Sequence, residues 1–267
     1  MKFSLAHLTV IGCTPAEATR IAADAGYDFV SFRLIPIGLP NEPRYDLARD
    51  RAMFLETRTA LTETGLALLD IEIARIIEGV NVDSYLPALE AAAALGAKHV
   101  ITCGWSDDRS FVADSYARLC DLARPLGLTV DFEFISFANC STLGQAVAVA
   151  RESGRENAGV LVDSLHFDRS RATLEELDTV PPALLHFAHL RDAPKVDHPT
   201  AEEGMRIARG ECLYLGEGNI AIKDMLRHMP EIPCSLEVSN TRRARELGYP
   251  QFARECLETA KRYFSTP

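Results

Sequence analysis

The chain lacks most of the features that mark membrane, secreted, disulfide-stapled or nucleic-acid-binding proteins. No apolar run reaches the roughly 18 residues of a membrane-spanning helix, and the opening MKFSLAHLTV has neither the charge nor the long apolar segment of a signal peptide. The expectation is a cytoplasmic protein with no membrane partner. Seven cysteines, at 13, 103, 120, 140, 212, 234 and 256, show no CxxC spacing, and their odd number argues against a disulfide framework and a zinc knuckle. They read as small buried apolar residues. Positive charge is also scarce: 28 Lys and Arg stand against 38 Asp and Glu, so the net charge of -10 would repel nucleic acid. No glycine-rich GxGxxG turn follows the first strand, where HLTVIGCTPAE stands instead, and a dinucleotide fold is therefore disfavoured. Pro- or Ser-rich linkers and low-complexity tracts are missing, so the 267 residues read as a single domain.

What the chain does have is alternation. Apolar or β-branched runs occur at 3–8, 28–33, 67–73, 98–103, 128–134, 159–163, 185–190 and 233–238. Helical patterns separate them, with start signals such as Thr14-Pro15-Ala16-Glu17 and Ser141-Thr142 and with Gly stops in AGYDFV, TGLALL, LGAKHV and LGLTV. Near-continuous apolar strands followed by helices imply a parallel sheet covered on its outer face, and eight such units in about 250 residues fit a (β/α)8 TIM barrel. The least regular stretch, 191–218, is long enough for a lid or substrate loop.

Four of the strand runs end on a polar residue: Glu133 in VDFE, Asp163 in GVLVD, His189 in LLHFAH and Glu237 in CSLE. Charged side chains are rarely buried unless paired or metal-bound. On consecutive strands of one barrel all four converge at the C-terminal rim, and three oxygens with one imidazole suit one divalent cation, Mn or Mg before Co or Zn. His7, Arg33, Glu72 and Trp105 also stand where side chains enter the bowl, whereas His99 and His186 read as structural, and His198 and His228 as solvent-side. Asp107-Asp108 and Glu202-Glu203 read as helix-start or exposed charges.

At these residues the chain resembles the xylose isomerase-like TIM-barrel superfamily, in particular its sugar phosphate isomerase and epimerase group, related to ketose 3-epimerases, inosose dehydratase and 3-dehydroshikimate dehydratase. The resemblance rests on the four rim positions, on Asp163-Ser-Leu-His166, on the HLRD of His189 to Asp192, on the GEG of Gly216 to Gly218, on SLAHLTV and on Gly26-Tyr27-Asp28-Phe29-Val30. It implies that Glu133, Asp163, His189 and Glu237 bind the metal and that Glu133 and Glu237 also serve as acid and base. It further implies that His166 bonds a substrate oxygen or acts as a base, and that Arg191 reaches a substrate hydroxyl or carboxylate. Arg209 belongs to the segment before GEG, where Cys212 and Leu215 replace a second Arg and a Pro of the related pattern. The stretch after Glu133, Phe134-Ile-Ser-Phe-Ala-Asn, lacks the acidic residue many epimerases use to hold substrate.

The resulting expectation is a metal-dependent isomerase or epimerase that removes a proton next to a carbonyl of a small polyhydroxylated substrate. A metal-dependent lyase, dehydrating a cyclitol or keto acid such as inosose or 3-dehydroshikimate, is the alternative, and a barrel that only binds ligand is the second. The DNA-repair endonuclease that shares the barrel needs a histidine-rich zinc site and a basic surface, which seven His and the acidic charge do not supply. Oligomeric state is left open, a homo-oligomer included.

Overall fold

In the computed structural model, which describes residues 1–38, 42–196 and 199–266, eight parallel strands close into a barrel in the order β1 to β8. They are β1 (Phe3–Leu5), β2 (Phe29–Arg33), β3 (Ala67–Ile76), β4 (His99–Gly104), β5 (Thr129–Glu133), β6 (Ala158–Asp163), β7 (Ala188–Leu190) and β8 (Cys234–Leu236). The outer helices are α1 (Pro15–Ala25), α2 (Arg51–Thr64), α3 (Leu86–Ala94), α4 (Arg109–Ala123), α5 (Leu143–Glu152), α6 (Ser164–Arg169), α7 (Leu174–Asp178), α8 (Ala201–Gly210), α9 (Ile222–Arg227), α10 (Thr241–Leu247) and α11 (Tyr249–Ser265). All eight strand runs expected from the sequence form strands.

Local chemistry sets the boundaries. Thr14 and Thr142 close reciprocal capping boxes with Glu17 and Gln145, each satisfying backbone donors that an open helix start would leave unpaired. Asp108 caps α4 and Glu202-Glu203 occupy the first turn of α8, as helix-start charges should. At the other ends Gly26 and Gly65 adopt φ of 88° and 70°, the left-handed turn that reverses the chain toward the next strand.

Two apolar clusters hold the layers together. The larger packs the outer strand faces against the helices, through residues such as Val30, Ile71, Val100, Phe132 and Phe252. Each buried side chain of this size contributes on the order of 1.5–3 kcal/mol. The smaller lies inside the barrel and includes Leu69, Ile101, Cys103, Leu161 and Phe187. All seven cysteines are free and buried, so they serve as small core residues.

Two expectations are corrected. The stretch 191–218 is not a bare loop: it carries α8 and an antiparallel bridge between Asp192 and Leu213. Its polar character hid a helix that buries only Ile207 and Ala208. Likewise β1 stops at Leu5, and His7 begins a short 3-10 turn instead of extending the strand. Among the described residues, no helix is long and apolar enough to cross a membrane.

Candidate active site

The C-terminal rim gathers the polar strand ends into one bowl. Parallel register aligns Asp163 with His189 and Glu133 with Leu161, which brings β5, β6 and β7 to the rim together. One acceptor atom from each of Glu133, Asp163 and His189 lies within 4.8 Å of the others, and all three residues are buried. Glu237, immediately after β8, stands beside them: its Oε1 is 3.7 Å from His189 Nδ1 and its Oε2 is 2.7 Å from Arg191 Nη1. The four residues read from the sequence as one group are therefore adjacent, with Glu237 turned toward Arg191.

The electrostatics of this group depend on positive charge. Burial together with the negative charges of Glu237 and Asp163 pushes Glu133 up to about 8. Burial alone would also raise Glu237, but Arg191 and His189 hold it well below the usual carboxylate range. His189 moves oppositely to what burial favours, up to about 10, because Glu237 and Glu133 favour its charged form. Three carboxylates thus compete for the cations within reach.

Hydrogen bonding at the cluster is incomplete. Neither ring nitrogen of His189 has a partner, although the residue is only 1% exposed. Arg191 Nη2 forms an ion pair with Asp163 Oδ2 at 2.9 Å, but that oxygen accepts no hydrogen bond. Buried polar atoms are nearly always bonded, and leaving one unsatisfied costs about 1–3 kcal/mol. Unpaired imidazole nitrogen beside carboxylate oxygen is the donor set that a divalent cation completes, so these residues fit a metal site.

A cavity opens beside the cluster, and its walls include Arg33, Glu72, Trp105, Glu133, His166, Arg191, Arg209 and Glu237. His166 is fully buried. Its Nδ1 faces the Ser136 hydroxyl at 3.1 Å, and Nε2 lies 3.2 Å from Arg191 Nη2. Burial lowers its pKa to about 4. Guanidinium can only donate, so Nε2 accepts from Arg191; a neutral ring then carries its proton on Nδ1 and donates to the Ser136 hydroxyl, which leaves the Ser136 N–H, 3.3 Å from Nδ1, without that acceptor. Arg33 pairs with Glu72 at 2.7 Å across β2 and β3, which leaves Arg33 Nε and Glu72 Oε1 buried without partners.

His7 is the one proposed contact that the structure places elsewhere. Its Nδ1 accepts from Arg33 N–H at 2.8 Å, its Nε2 is 2.9 Å from Cys13 O, and it does not line the cavity. With the strand ended at Leu5, the ring is directed into backbone contacts instead of the bowl. His99 and His186 lie at the opposite end of the barrel, His228 pairs with Asp178, and His198 lies outside the described residues. Cys212 and Leu215 are buried away from the cavity.

Sequence reasoning missed Arg75, Ser136 and Phe137. Arg75 and Glu72 are three residues apart, so strict alternation would put them on opposite faces. A register shift between Ile71 and Ala74 breaks that alternation, and both line the cavity. Phe137 packs edge-on against His166 at 5.4 Å from the loop after β5. Asp192 of the HLRD run never reaches the cavity; it accepts N–H bonds from Ala193, Gly216, Gly218 and Ile220, so it fastens the GEG turn to β7.

A closed eight-stranded parallel barrel with a carboxylate-imidazole cluster at its C-terminal rim defines the class of protein. Residues 19–259 match the family described as xylose isomerase-like TIM barrel, and the chain belongs to that family. Inosose isomerase from Halalkalibacterium halodurans is 26% identical over 187 residues, 65% of this chain and 62% of that protein. Inosose isomerase from Bacillus subtilis is 25% identical over 184 residues, 65% and 64% of the two chains. The chain thus spans somewhat under two thirds of the length of these curated relatives. Among solved structures, an IolI protein with a bound zinc atom superposes with a TM-score of 0.77 at 17% identity, covering 99% of this chain and 96% of that one. D-allulose 3-epimerase from Methylomonas sp., in complex with D-allulose, gives 0.71 at 19% identity over 98% and 97%. At these identities the structural likeness establishes the fold.

Proposed function

We propose that this protein is a divalent-metal-dependent isomerase or epimerase that removes a proton next to a carbonyl of a sugar or sugar-like polyol. The observation that carries the reading is the buried trio Glu133, Asp163 and His189, with both imidazole nitrogens and one Asp163 oxygen unsatisfied beside a cavity. The names of the relatives, inosose isomerase and D-allulose 3-epimerase, support the same reaction class.

Glu133, Asp163, His189 and Glu237 hold the cation, with Mn or Mg favoured by the carboxylate majority. Bound there, a divalent cation polarises a carbonyl and acidifies the adjacent carbon. Glu133 and Glu237 approach the cavity from β5 and β8 and take the roles of base and acid on opposite faces of the substrate. His166, neutral and fixed by Ser136, exchanges the Arg191 contact at Nε2 for a hydrogen bond from a substrate hydroxyl, while Arg191 holds Glu237 ionised. Trp105 and Phe137 close the apolar side of the cavity and limit water.

The test is incubation of the metal-replete protein with ketoses and inososes in deuterium oxide. Solvent label at the α-carbon without loss of mass is expected. Loss of water with new enone absorbance would replace isomerisation by dehydration, a reading that the arginines of the cavity favour for a keto acid. A preparation inert to every candidate would leave a barrel that only binds ligand.

A further inference from the structure

The cavity carries more positive charge than the cluster at its floor uses. Arg191 is engaged by Asp163, Glu237 and the Ala208 carbonyl. Three further guanidinium groups line the same cavity. Arg33 offsets Glu72 but keeps a buried, unpartnered Nε. Arg75 donates to Ile37 O at 2.6 Å and forms no ion pair with a described residue. The guanidinium of Arg209, half-buried in the last turn of α8, forms neither a hydrogen bond nor an ion pair with any described residue. Burial and the like charges of Arg33 and Arg75 hold its pKa below the ordinary value. Glu42, which accepts N–H bonds from Ile37 and Gly38, is the nearby acidic group that offsets Arg33 and Arg209 electrostatically.

Barrel order gives this excess a direction. Strands β2 and β3, which carry Arg33 and Arg75, lie across the closed ring from β6 and β7, which carry Asp163 and His189. A ligand held by the carboxylate-imidazole cluster at one end therefore meets guanidinium at the other. Neutral hydroxyls would add no countercharge for these three cations beyond Glu72 and Glu42. A carboxylate or phosphate matches their planar forked donors.

We propose that the substrate carries an anionic group, carboxylate or phosphate, seated among Arg33, Arg75 and Arg209, so that the site selects acidic polyols over neutral sugars. This rests on the reading of the cavity as a substrate site and names the class that the site accepts.

Calorimetric titration of the purified protein with D-glucitol, D-gluconate and D-glucitol 6-phosphate tests it, since the three share a carbon chain and differ in one terminal group. At least one anion should bind about tenfold or more tightly than glucitol, and the tighter of the two identifies the group. Its affinity should fall as salt rises from low to high ionic strength while that of glucitol stays level. In Arg75→Met/Arg209→Met the preference should shrink to within about twofold, with part of it regained in Arg75→Lys/Arg209→Lys. Equal affinity for all three probes, failure of both anions to bind, or a preference that survives in the Met variant or is insensitive to salt overturns the proposal. Anion selectivity without α-hydrogen exchange in deuterium oxide removes the isomerase reading and keeps this one. Exchange on neutral ketoses without anion preference does the reverse.

Discussion

The two ends of the barrel hold the same residue types in opposite condition. At the N-terminal end, His186 Nδ1 is 2.7 Å from Asp131 Oδ1, Thr129 donates to Asp131 Oδ2 at 2.6 Å, and His99 Nδ1 meets Thr129 at 2.7 Å. The chain runs His186, Asp131, Thr129, His99, and both carboxylate oxygens are bonded. Gly159 makes it possible, because a Cβ at that position would collide with Asp131 and His186. At the C-terminal end, Glu133, Asp163 and His189 converge with Asp163 Oδ2 and both His189 ring nitrogens outside any hydrogen bond. Asp131 and Glu133 are two residues apart on β5, about 7 Å along one face. Both clusters have metal-ligating types in reach of one another, and what separates them is satisfaction. A bonded carboxylate-imidazole network stabilises the fold, whereas an unbonded one is available to a ligand.

The comparison breaks most visibly at turnover. Glu133→Gln and Glu237→Gln should each lower kcat by about 10³-fold or more while the circular dichroism of the barrel is kept. Asp131→Asn should retain turnover. Substantial activity in both glutamine variants would remove the acid-base pair from the mechanism.

Metal binding separates the ends next. Chelation should abolish activity, with Mn or Mg restoring it best, and restoration by zinc alone would mean that the imidazole rather than the carboxylates sets the metal preference. Titration should find one cation per chain, with affinity at least about tenfold weaker in His189→Gln or Asp163→Asn. Asp131→Asn should leave the stoichiometry alone; a second cation lost with Asp131 would erase the distinction.

Stability tests the satisfied end. Asp131→Ala removes the acceptor of both His186 and Thr129, and urea denaturation should show a loss of about 3 kcal/mol. A change below about 0.5 kcal/mol, typical of a surface site, would show that the network holds nothing.

His7 gives the smallest effect and a defined sign. Burial depresses its pKa to about 4 from 6.5, so between those values the unfolded chain binds a proton that the folded ring refuses. Its contribution is fully present above pH 6.5 and is lost as pH falls toward 4. Between pH 6.5 and 5 this costs about 2 kcal/mol. In His7→Gln the acid sensitivity across that window should be smaller by that amount, and an unchanged slope would place the titration elsewhere.

The barrel was legible because its signals are local. An apolar run followed by a capped helix and a left-handed Gly is set by neighbours in sequence, as around Thr14 and Gly26. The rim cluster was legible because Glu133, Asp163, His189 and Glu237 are polar residues at the buried ends of such apolar runs. Arg75 was hidden by an irregularity in β3, and Ser136 and Phe137 by their place in a loop without periodicity. His7 was misplaced because FSLAHL continues the apolar pattern past the point where hydrogen bonding ends the strand.

By itself, then, the sequence determined which segments become strands and helices and which polar residues stand at the strand ends, since both follow from short-range pattern and the cost of burying charge. Only the closed barrel decided which of those polar residues remain unsatisfied. His186 and His189, three residues apart, lie at opposite ends of the barrel, one hydrogen-bonded to Asp131 and the other with neither ring nitrogen in a hydrogen bond. Satisfaction depends on partners from other strands, and only ring closure supplies them.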